Sequence, residues 1–380
     1  MEVVVQKYGG SSVADIERIG RVAERIARTH QGGQAVVAVV SAMGNTTNDL
    51  LKLAHQIAPR PDRRELDMLL SVGERITMSL LAMALRERGV PAVSLTGSQS
   101  GIITDEAHAD ARVVEVRPDR LRQILGEGKV AIVAGFQGVS RAREVTTLGR
   151  GGSDTTAVVL AAALGAVWCE ICSDVDGVWS ADPRIVTDAR QLFDLPMEEA
   201  LALARGGAKV LYEDAVRYAR DHGVEITASA TFGPGAGTRI RTSSAPRPGA
   251  SAVTADLQLV RVRLGPDPAA ELACIATSGG RVRRQVGDVL YVDVRNAHGG
   301  LAVGSAASEG PVAVVTAVGS CLGERPLDVL RATRALDGVA ILAAGAAGDA
   351  AWWEIAPDQA SDAVRRVHAT LVVSDDATRS

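Results

Sequence analysis

Lysine is scarce in this chain: Lys7, Lys52, Lys129 and Lys209 are the only four, so arginine supplies 37 of the 41 basic residues. A lysine kept among so many arginines can mark a place where a compact ammonium is not replaceable by a planar fork. Lys7 lies in Lys7-Tyr8-Gly9-Gly10-Ser11-Ser12. There an apolar strand delivers the ammonium, two glycines let backbone approach a ligand, and a helix N-terminus follows, a combination that suits phosphate. The lysine precedes the glycines, so this is not a Walker loop, and a Gly-Gly turn after a strand is also an ordinary tight connection. A second turn, Thr147-Leu148-Gly149-Arg150-Gly151-Gly152-Ser153-Asp154, places an arginine before a helix that Ser153 or Asp154 is able to cap. Arginine grips a carboxylate or phosphate with two parallel hydrogen bonds, although a capped helix with a surface arginine has the same sequence. Two such turns at strand ends suggest a site for two anionic groups. A third segment, Ser173-Asp174-Val175-Asp176-Gly177-Val178-Trp179-Ser180-Ala181-Asp182-Pro183-Arg184, offers a flat ring and polar groups for a sugar or base, or is simply an acidic loop. Gly206-Gly207-Ala208-Lys209 brings the last lysine after another glycine pair.

These turns need strands to position them. Val3–Gln6, Ala35–Val40, Val130–Ala134 and Val167–Cys172 read as strands, alternating with helical stretches at about 14–29, 63–88 and 150–164. Val- and Ile-rich strands alternating with helices predict an α/β domain with a largely parallel, doubly covered sheet. Ligands of such sheets bind beyond the carboxyl ends of the strands, where the glycine turns lie. Around Gly233–Gly237 and Ser243–Gly249 the composition turns to Gly, Pro and Ser, which predicts a boundary. Beyond it, strand 257–264, a helix from Pro268 and strand 289–294 form a shortened unit. Strands 312–318, 339–343 and 351–355 with helices 326–336 and 358–371 form a second unit in β-α-β-β-α order, the ferredoxin-like arrangement.

Composition sets the limits. At 380 residues, 47% hydrophobic and 23% charged, the chain has ample material for a core, and two or three domains are expected. The net charge of −4 is spread along the length and gives no footing for nucleic acid. Purely apolar runs are too short for a membrane span, and the N-terminus lacks a basic signal region, so a cytoplasmic protein is expected. Cys169 and Cys172 form a CxxC within a strand; residues three apart there face opposite ways, so core cysteines are expected. The six histidines (30, 55, 108, 222, 298, 368) fall outside the motifs and are read as structural.

KYGGSSVAD, VVSAMGNTTNDLL, LLSVGERI, GSQSGIITD, VAGFQG, TTLGRGGSDTTAVVLAAALGA, EICSDVDGVWSADPRIV and GAKVL follow one another over residues 3–240. In this order they resemble the aspartate kinases of the amino-acid kinase fold. The resemblance implies a catalytic domain at 1–243 and two C-terminal ACT-like units at 244–310 and 311–380. It implies transfer of phosphate from ATP, with Mg²⁺ held mainly by the nucleotide and no protein metal site, to the side-chain carboxylate of aspartate. On the matching positions Lys7 and Asp154 would be catalytic. Thr47, Glu74, Arg150, Gly151, Gly152 and Ser153 would hold aspartate. Lys7, Gly9, Gly10, Ser11, Ser41, Ser173, Asp174, Val178, Trp179, Asp182, Pro183, Arg184 and Lys209 would hold ATP. A homodimer or higher homo-oligomer through the ACT-like region is expected. The physical reading agrees: a carboxylate acceptor is already ionised at pH 7, so no general base is required, and the reaction needs alignment and positive charge.

The chain also departs from that family. Asn48 precedes Asp49 after the paired threonines; many members continue Gly-Ala-Lys-Val-Leu with His-Pro-Arg, where this chain has Tyr212-Glu213-Asp214; and Ser229-Ala230-Thr231-Phe232 replaces a basic stretch. The effector loop and strand read Gly265-Pro266-Asp267-Pro268-Ala269 and Val282-Arg283-Arg284-Gln285-Val286. The effector pocket is therefore expected to be lost, and inhibition by lysine or threonine with it. A kinase for another amino-acid carboxylate, or a non-catalytic partner subunit, are the competing readings.

Overall fold

Unbroken apolar runs at 35–40 and 130–134, with Val3-Val4-Val5 beside them, place three strands at the centre of the first sheet. In the computed structural model residues 2–233, 235–242 and 249–373 are described; Pro234 and residues 243–248 of the expected boundary lie outside them. The first half of the chain builds β1 (Val3–Tyr8), α1 (Ile16–Gln31), β2 (Ala35–Val40), α2 (Thr46–Ile57), α3 (Arg63–Leu70), α4 (Val72–Glu87), β3 (Ala92–Leu95), β4 (Ile102–Thr104), β5 (Val113–Val116), α5 (Asp119–Gly126), β6 (Val130–Ala134), β7 (Gln137–Ser140), β8 (Val145–Thr147), α6 (Gly152–Leu164) and β9 (Trp168–Ser173). There follow β10 (Val178–Trp179), β11 (Gln191–Leu192), β12 (Asp194–Pro196), α7 (Met197–Arg205), α8 (Glu213–His222), β13 (Ile226–Ala230) and β14 (Thr238–Arg241). The C-terminal part adds β15 (Ala252–Arg263), α9 (Pro268–Thr277), β16 (Arg281–Val286), β17 (Val289–Asp293), β18 (Ala307–Val318), α10 (Pro326–Ala335), β19 (Ala343–Ala347), β20 (Ala350–Ile355) and α11 (Ala360–His368).

The chain packs as two compact units, Met1–Gly177 with Val210–Arg241, and Val178–Lys209 with Thr242–Ser380. The stretch expected as one catalytic domain, 1–243, is thus shared between them. In the first unit the strands run β14-β13-β9-β1-β2-β6-β3. All neighbours are parallel except the β13–β14 pair. Every residue of β2 and β6 is buried, as covering on both faces requires. α1 buries the stripe Ile19, Val22, Ala23, Ile26 and Ala27. α6 is apolar almost all round, and its buried residues run from Gly152 to Ala161. It stops at Gly165, left-handed at φ +64, in a Schellman-type close. Cys169 and Cys172 are buried in β9, and burial raises both thiols well above their ordinary range.

The single helix expected over 63–88 is two, abutting at Ser71, whose carbonyl accepts a hydrogen bond from the Gln137 side chain at 2.9 Å. This stretch, Arg63–Glu87, is long and apolar enough to cross a membrane by length and composition, although no purely apolar run within it is that long. Half of its apolar window is buried inside the fold, as in a core helix.

In the second unit one antiparallel sheet runs β16-β17-β15-β18-β20-β19. Ala313, Val315 and Ala317 of β18 share a core with Val364 and Val367 of α11. Thr316, on the opposite face, meets the end of α7 at Gly206. The strand expected at 339–343 is displaced to Ala343–Ala347, an edge strand of alanine and glycine with no β-branched signal.

Candidate active site

Parallel strands β1, β2, β6 and β9 end on the same edge of the first sheet, and their turns meet there. Lys7, next to last in β1, is 9% exposed. Its Nζ lies 2.6 Å from Oδ1 of Asp154, which is 2% exposed in the first turn of α6. A Cβ on Gly9 would come 3.4 Å from that Nζ, so the glycine leaves the ammonium room over the turn. Gly9 donates from its N–H to Cys172 O at 3.2 Å and leads into a 3₁₀ turn, Gly10–Val13. A Cβ on Gly10 would sit 2.9 Å from Ala42 O. The β2 turn is joined to it through Ser41 N–H to Tyr8 O and Gly44 N–H to Gly10 O, both 3.1 Å. The helix expected from about 14 begins at Ile16, where Asp15 caps α1 by accepting from Arg18 N–H at 2.8 Å. The backbone next to the glycines is therefore the 3₁₀ turn, and the N-terminus of α1 beyond it carries its own carboxylate.

Glu74, 3% exposed in the first turn of α4, accepts from Ala42 N–H at 3.0 Å through Oε1. Its Oε2 is buried without a hydrogen-bond partner, and burial pushes the carboxyl up to about 7. Gly73 packs α4 on the same turn, since a Cβ there would lie 2.7 Å from Ala42 Cβ. Thr47 lies half-buried in the first turn of α2 just beyond.

The Arg150 turn is held by aromatic rings. Gly149 and Gly151 have φ of +68 and +74. A Cβ on Gly151 would stand 2.1 Å from Cγ of Tyr212, and one on Gly152 would stand 2.9 Å from Cδ2 of Phe136. Neither Ser153 nor Asp154 caps α6, contrary to expectation: Gly151 occupies the N-cap with no side-chain hydrogen bond, and Asp154 turns to Lys7 instead. Ser153 is 8% exposed, close against Gly135 at the end of β6, and Arg150 is exposed. Ser173 Oγ accepts from Val175 N–H at 3.2 Å at the end of β9, beside exposed Asp174.

The other residues expected to hold ATP belong to the second unit. Val178 and Trp179 pair with Leu192 and Gln191. Asp182 and Arg184 bracket Pro183 and bond to each other, Nη2 to Oδ2 at 2.7 Å, which holds the Asp182 carboxyl below its usual range. Lys209 follows Gly207, which lies against Asp256 of β15.

Sequence reasoning missed three supports. Tyr212 was seen only as a departure, because its contact with Gly151 is made across 61 positions. Asp67, fully buried in α3, accepts from Ala109 N–H at 3.0 Å, bonds Thr147 Oγ1 and lies 2.6 Å from His108 Nδ1, anchoring the strand that leads to Arg150. An acid on the apolar face of α3 was the available signal. His368 is the third, and it holds Ser180.

The class is thus an α/β protein with cationic, glycine-rich turns along the carboxyl edge of a parallel sheet, as phosphorylated ligands require. The profile of the amino acid kinase family matches residues 2–227, and the chain belongs to that family. Aspartokinase of Mycobacterium tuberculosis (strain H37Rv) is 58% identical over 239 residues, 63% of this chain and 57% of that protein. The chain therefore spans little more than half the length of that curated relative. The solved structure of E. coli aspartokinase III in complex with aspartate and ADP (R-state) has the same fold, with a TM-score of 0.83 at 24% identity, covering 97% of this chain and 99% of that one. An aspartate kinase from Synechocystis has a TM-score of 0.59 at 34% identity, covering 97% of this chain and 68% of that one.

Proposed function

We propose that the chain transfers the γ-phosphoryl group of MgATP to the side-chain carboxylate of L-aspartate, giving 4-phospho-L-aspartate. The observation that carries this reading is the buried Lys7–Asp154 pair, which ties the first glycine turn to the start of α6. Lys7 would neutralise charge on the group in flight, and Asp154 would fix its ammonium. Gly9, Gly10 and Ser11 would face the phosphates. Arg150 with the open N-terminus of α6 at Gly152 and Ser153 would take a carboxylate of aspartate, with Thr47 beside it. The unpartnered Oε2 of Glu74 suits the ammonium. The relatives' name, aspartokinase, over the region that holds both turns supports this choice of acceptor. The roles of Ser41, Ser173, Asp174, Val178, Trp179, Asp182, Pro183, Arg184 and Lys209 toward ATP rest on the sequence resemblance. Among the described residues no three His, Cys, Asp or Glu side chains gather into a metal cage. Mg²⁺ carried with the nucleotide would supply positive charge that offsets that of the phosphates.

The rest of the reading is a cytoplasmic enzyme with its catalytic domain at 1–243 and ACT-like units at 244–310 and 311–380, assembling as a homo-oligomer through them and insensitive to lysine and threonine. In support of insensitivity, Asp267 is used as the cap of α9, Arg283 bonds Asp293, and Arg284 lies over Trp352. Trapping acyl phosphate with hydroxylamine across a panel of amino-acid carboxylates tests the reaction. Aspartate should give the highest kcat/KM; turnover of another carboxylate in its place, or of none, overturns the proposal. Titrating lysine and threonine to millimolar levels should leave the rate unchanged, whereas a sigmoidal loss would mean that an effector pocket exists.

A further inference from the structure

The loop between β10 and β11 is held by a buried serine–histidine contact. Ser180, at the base of that hairpin, is 1% exposed, and all its polar atoms are engaged. Its N–H donates to Arg190 O at 2.8 Å, its carbonyl accepts from Val253 N–H at 2.7 Å, and its Oγ accepts from Arg190 N–H at 2.9 Å. The same Oγ lies 2.9 Å from Nε2 of His368, itself 1% exposed at the end of α11. With one lone pair of Oγ taken by an N–H, the hydroxyl keeps a proton to donate and a second lone pair to accept, so it can pair with either tautomer of the ring at Nε2. Burial favours the neutral imidazole by lowering its pKa. Further along the loop, Ala181 and Val186 are 4% exposed in the core shared by Val253, Val315, Val364 and Val367. The loop is thus built onto the C-terminal sheet and its last helix.

We propose that His368 is a positioning residue for the nucleotide: through Ser180 Oγ it sets the base of the loop that presents Trp179, Asp182 and Arg184. This rests on the reading of that loop as a nucleotide contact. A histidine 188 residues away from Ser180 in sequence would then act on nucleotide affinity without touching the nucleotide.

Calorimetric titration of the full chain with Mg·ADP, without acceptor, tests the inference. His368→Leu removes the hydrogen-bonding nitrogen, and Ser180→Ala removes only the oxygen. His368→Leu should weaken Mg·ADP by about 3- to 10-fold, the equivalent of one buried hydrogen bond, and Ser180→Ala by at least as much, because its Oγ also accepts from Arg190 N–H. The KM for aspartate should stay at the wild-type value, a split that general destabilisation would not produce. His368→Gln, whose amide can accept from or donate to Ser180 Oγ, should recover most of the affinity. The double variant should be no weaker than Ser180→Ala alone, because Ser180→Ala already removes the contact that His368→Leu removes. Wild-type Mg·ADP affinity in a folded Ser180→Ala or His368→Leu chain overturns the inference, as does an equal loss toward both substrates. A wild-type chain that binds Mg·ADP but phosphorylates no carboxylate would refute the proposed reaction while leaving this test intact. No binding of Mg·ADP by the wild type would overturn both.

Discussion

At the residue scale the proposed chemistry turns on two buried charges. Lys7 and Asp154 stand 2.6 Å apart with side-chain exposures of 11% and 2%. Removing one partner of such a pair costs about 3–5 kcal/mol, since the other charge loses its compensation. Lys7→Ala alone therefore mixes lost stability with lost chemistry. Lys7→Met combined with Asp154→Asn separates them: the melting temperature should recover, while kcat should stay lower by about 10²–10³, the usual cost of one charge-stabilising donor. Steady-state kinetics with thermal unfolding decide the matter, and recovery of kcat would make Lys7 a purely structural residue. Glu74 makes a different prediction. Burial raises its carboxyl from 4.5 to about 7. Between those values the folded chain binds a proton that the unfolded chain has released. Its contribution to stability is thus fully present below pH 4.5 and is lost as pH rises through about 7. The loss amounts to about 3 kcal/mol, at about 1.4 kcal/mol per pKa unit. A ligand ammonium pairs only with the ionised form, so kcat/KM for aspartate should rise with pH through the same range. Glu74→Gln should abolish this limb and flatten the stability slope; if both survive the substitution, Glu74 is not the ammonium's partner.

At the scale of elements, the candidate site is built from glycine turns that follow strand ends and are clamped by neighbouring side chains. Gly151→Ala puts a methyl 2.1 Å from Tyr212 Cγ at a backbone φ of +74. Overpacking of this kind costs about 1–3 kcal/mol, and the left-handed conformation adds roughly 1–2 kcal/mol for a residue with a side chain. The variant should melt lower and show a raised KM for aspartate. Adding Tyr212→Ala should relieve the clash but not the backbone term, so a double-mutant cycle should find the two changes strongly coupled. Additive effects would mean that the ring does not hold the turn. The same elements show what was legible beforehand. β1, β2 and β6 could be read because β-branched runs buried on both faces have no other reading. The residues of both glycine turns could be read by type and spacing. The break at Ser71 could not, because it depends on an amide 66 residues away, nor could β19, whose alanines carry no strand signal. The absent side-chain cap on α6 escaped for a related reason: whether Asp154 caps its own helix or meets Lys7 is settled by the sheet, which brings position 7 beside position 154.

At the scale of the whole molecule, the C-terminal sheet is more than a carrier for an effector pocket. The family match ends at residue 227, yet residues 178–209, inside that match, pack with the C-terminal sheet. Ala181 and Val186 lie in its core. Cβ atoms on Gly206 and Gly207 would lie 2.9 Å from Thr254 Cγ2 and 2.6 Å from Asp256 Cβ, and buried Glu199 bonds Ser320 Oγ at 2.5 Å. If the loop at 178–184 contacts the nucleotide as proposed, this sheet would give it a single conformation whether or not an effector binds. Ending the chain after Thr242 tests that dependence. The truncation returns Val186 and its neighbours to water, at about 1.5–3 kcal/mol for each fully buried Val, Leu or Met. It also leaves the carbonyl and hydroxyl of Ser180 without Val253 and His368. Limited trypsin digestion should then cut at Arg184, Arg190, Arg205 or Lys209 well before the full chain is cut there. Calorimetry should detect no binding of Mg·ADP at concentrations that saturate the full chain. If the truncated chain binds Mg·ADP with wild-type affinity and resists cleavage across 178–209, the loop attains its form unaided, and the C-terminal sheet must owe its presence to something other than nucleotide binding.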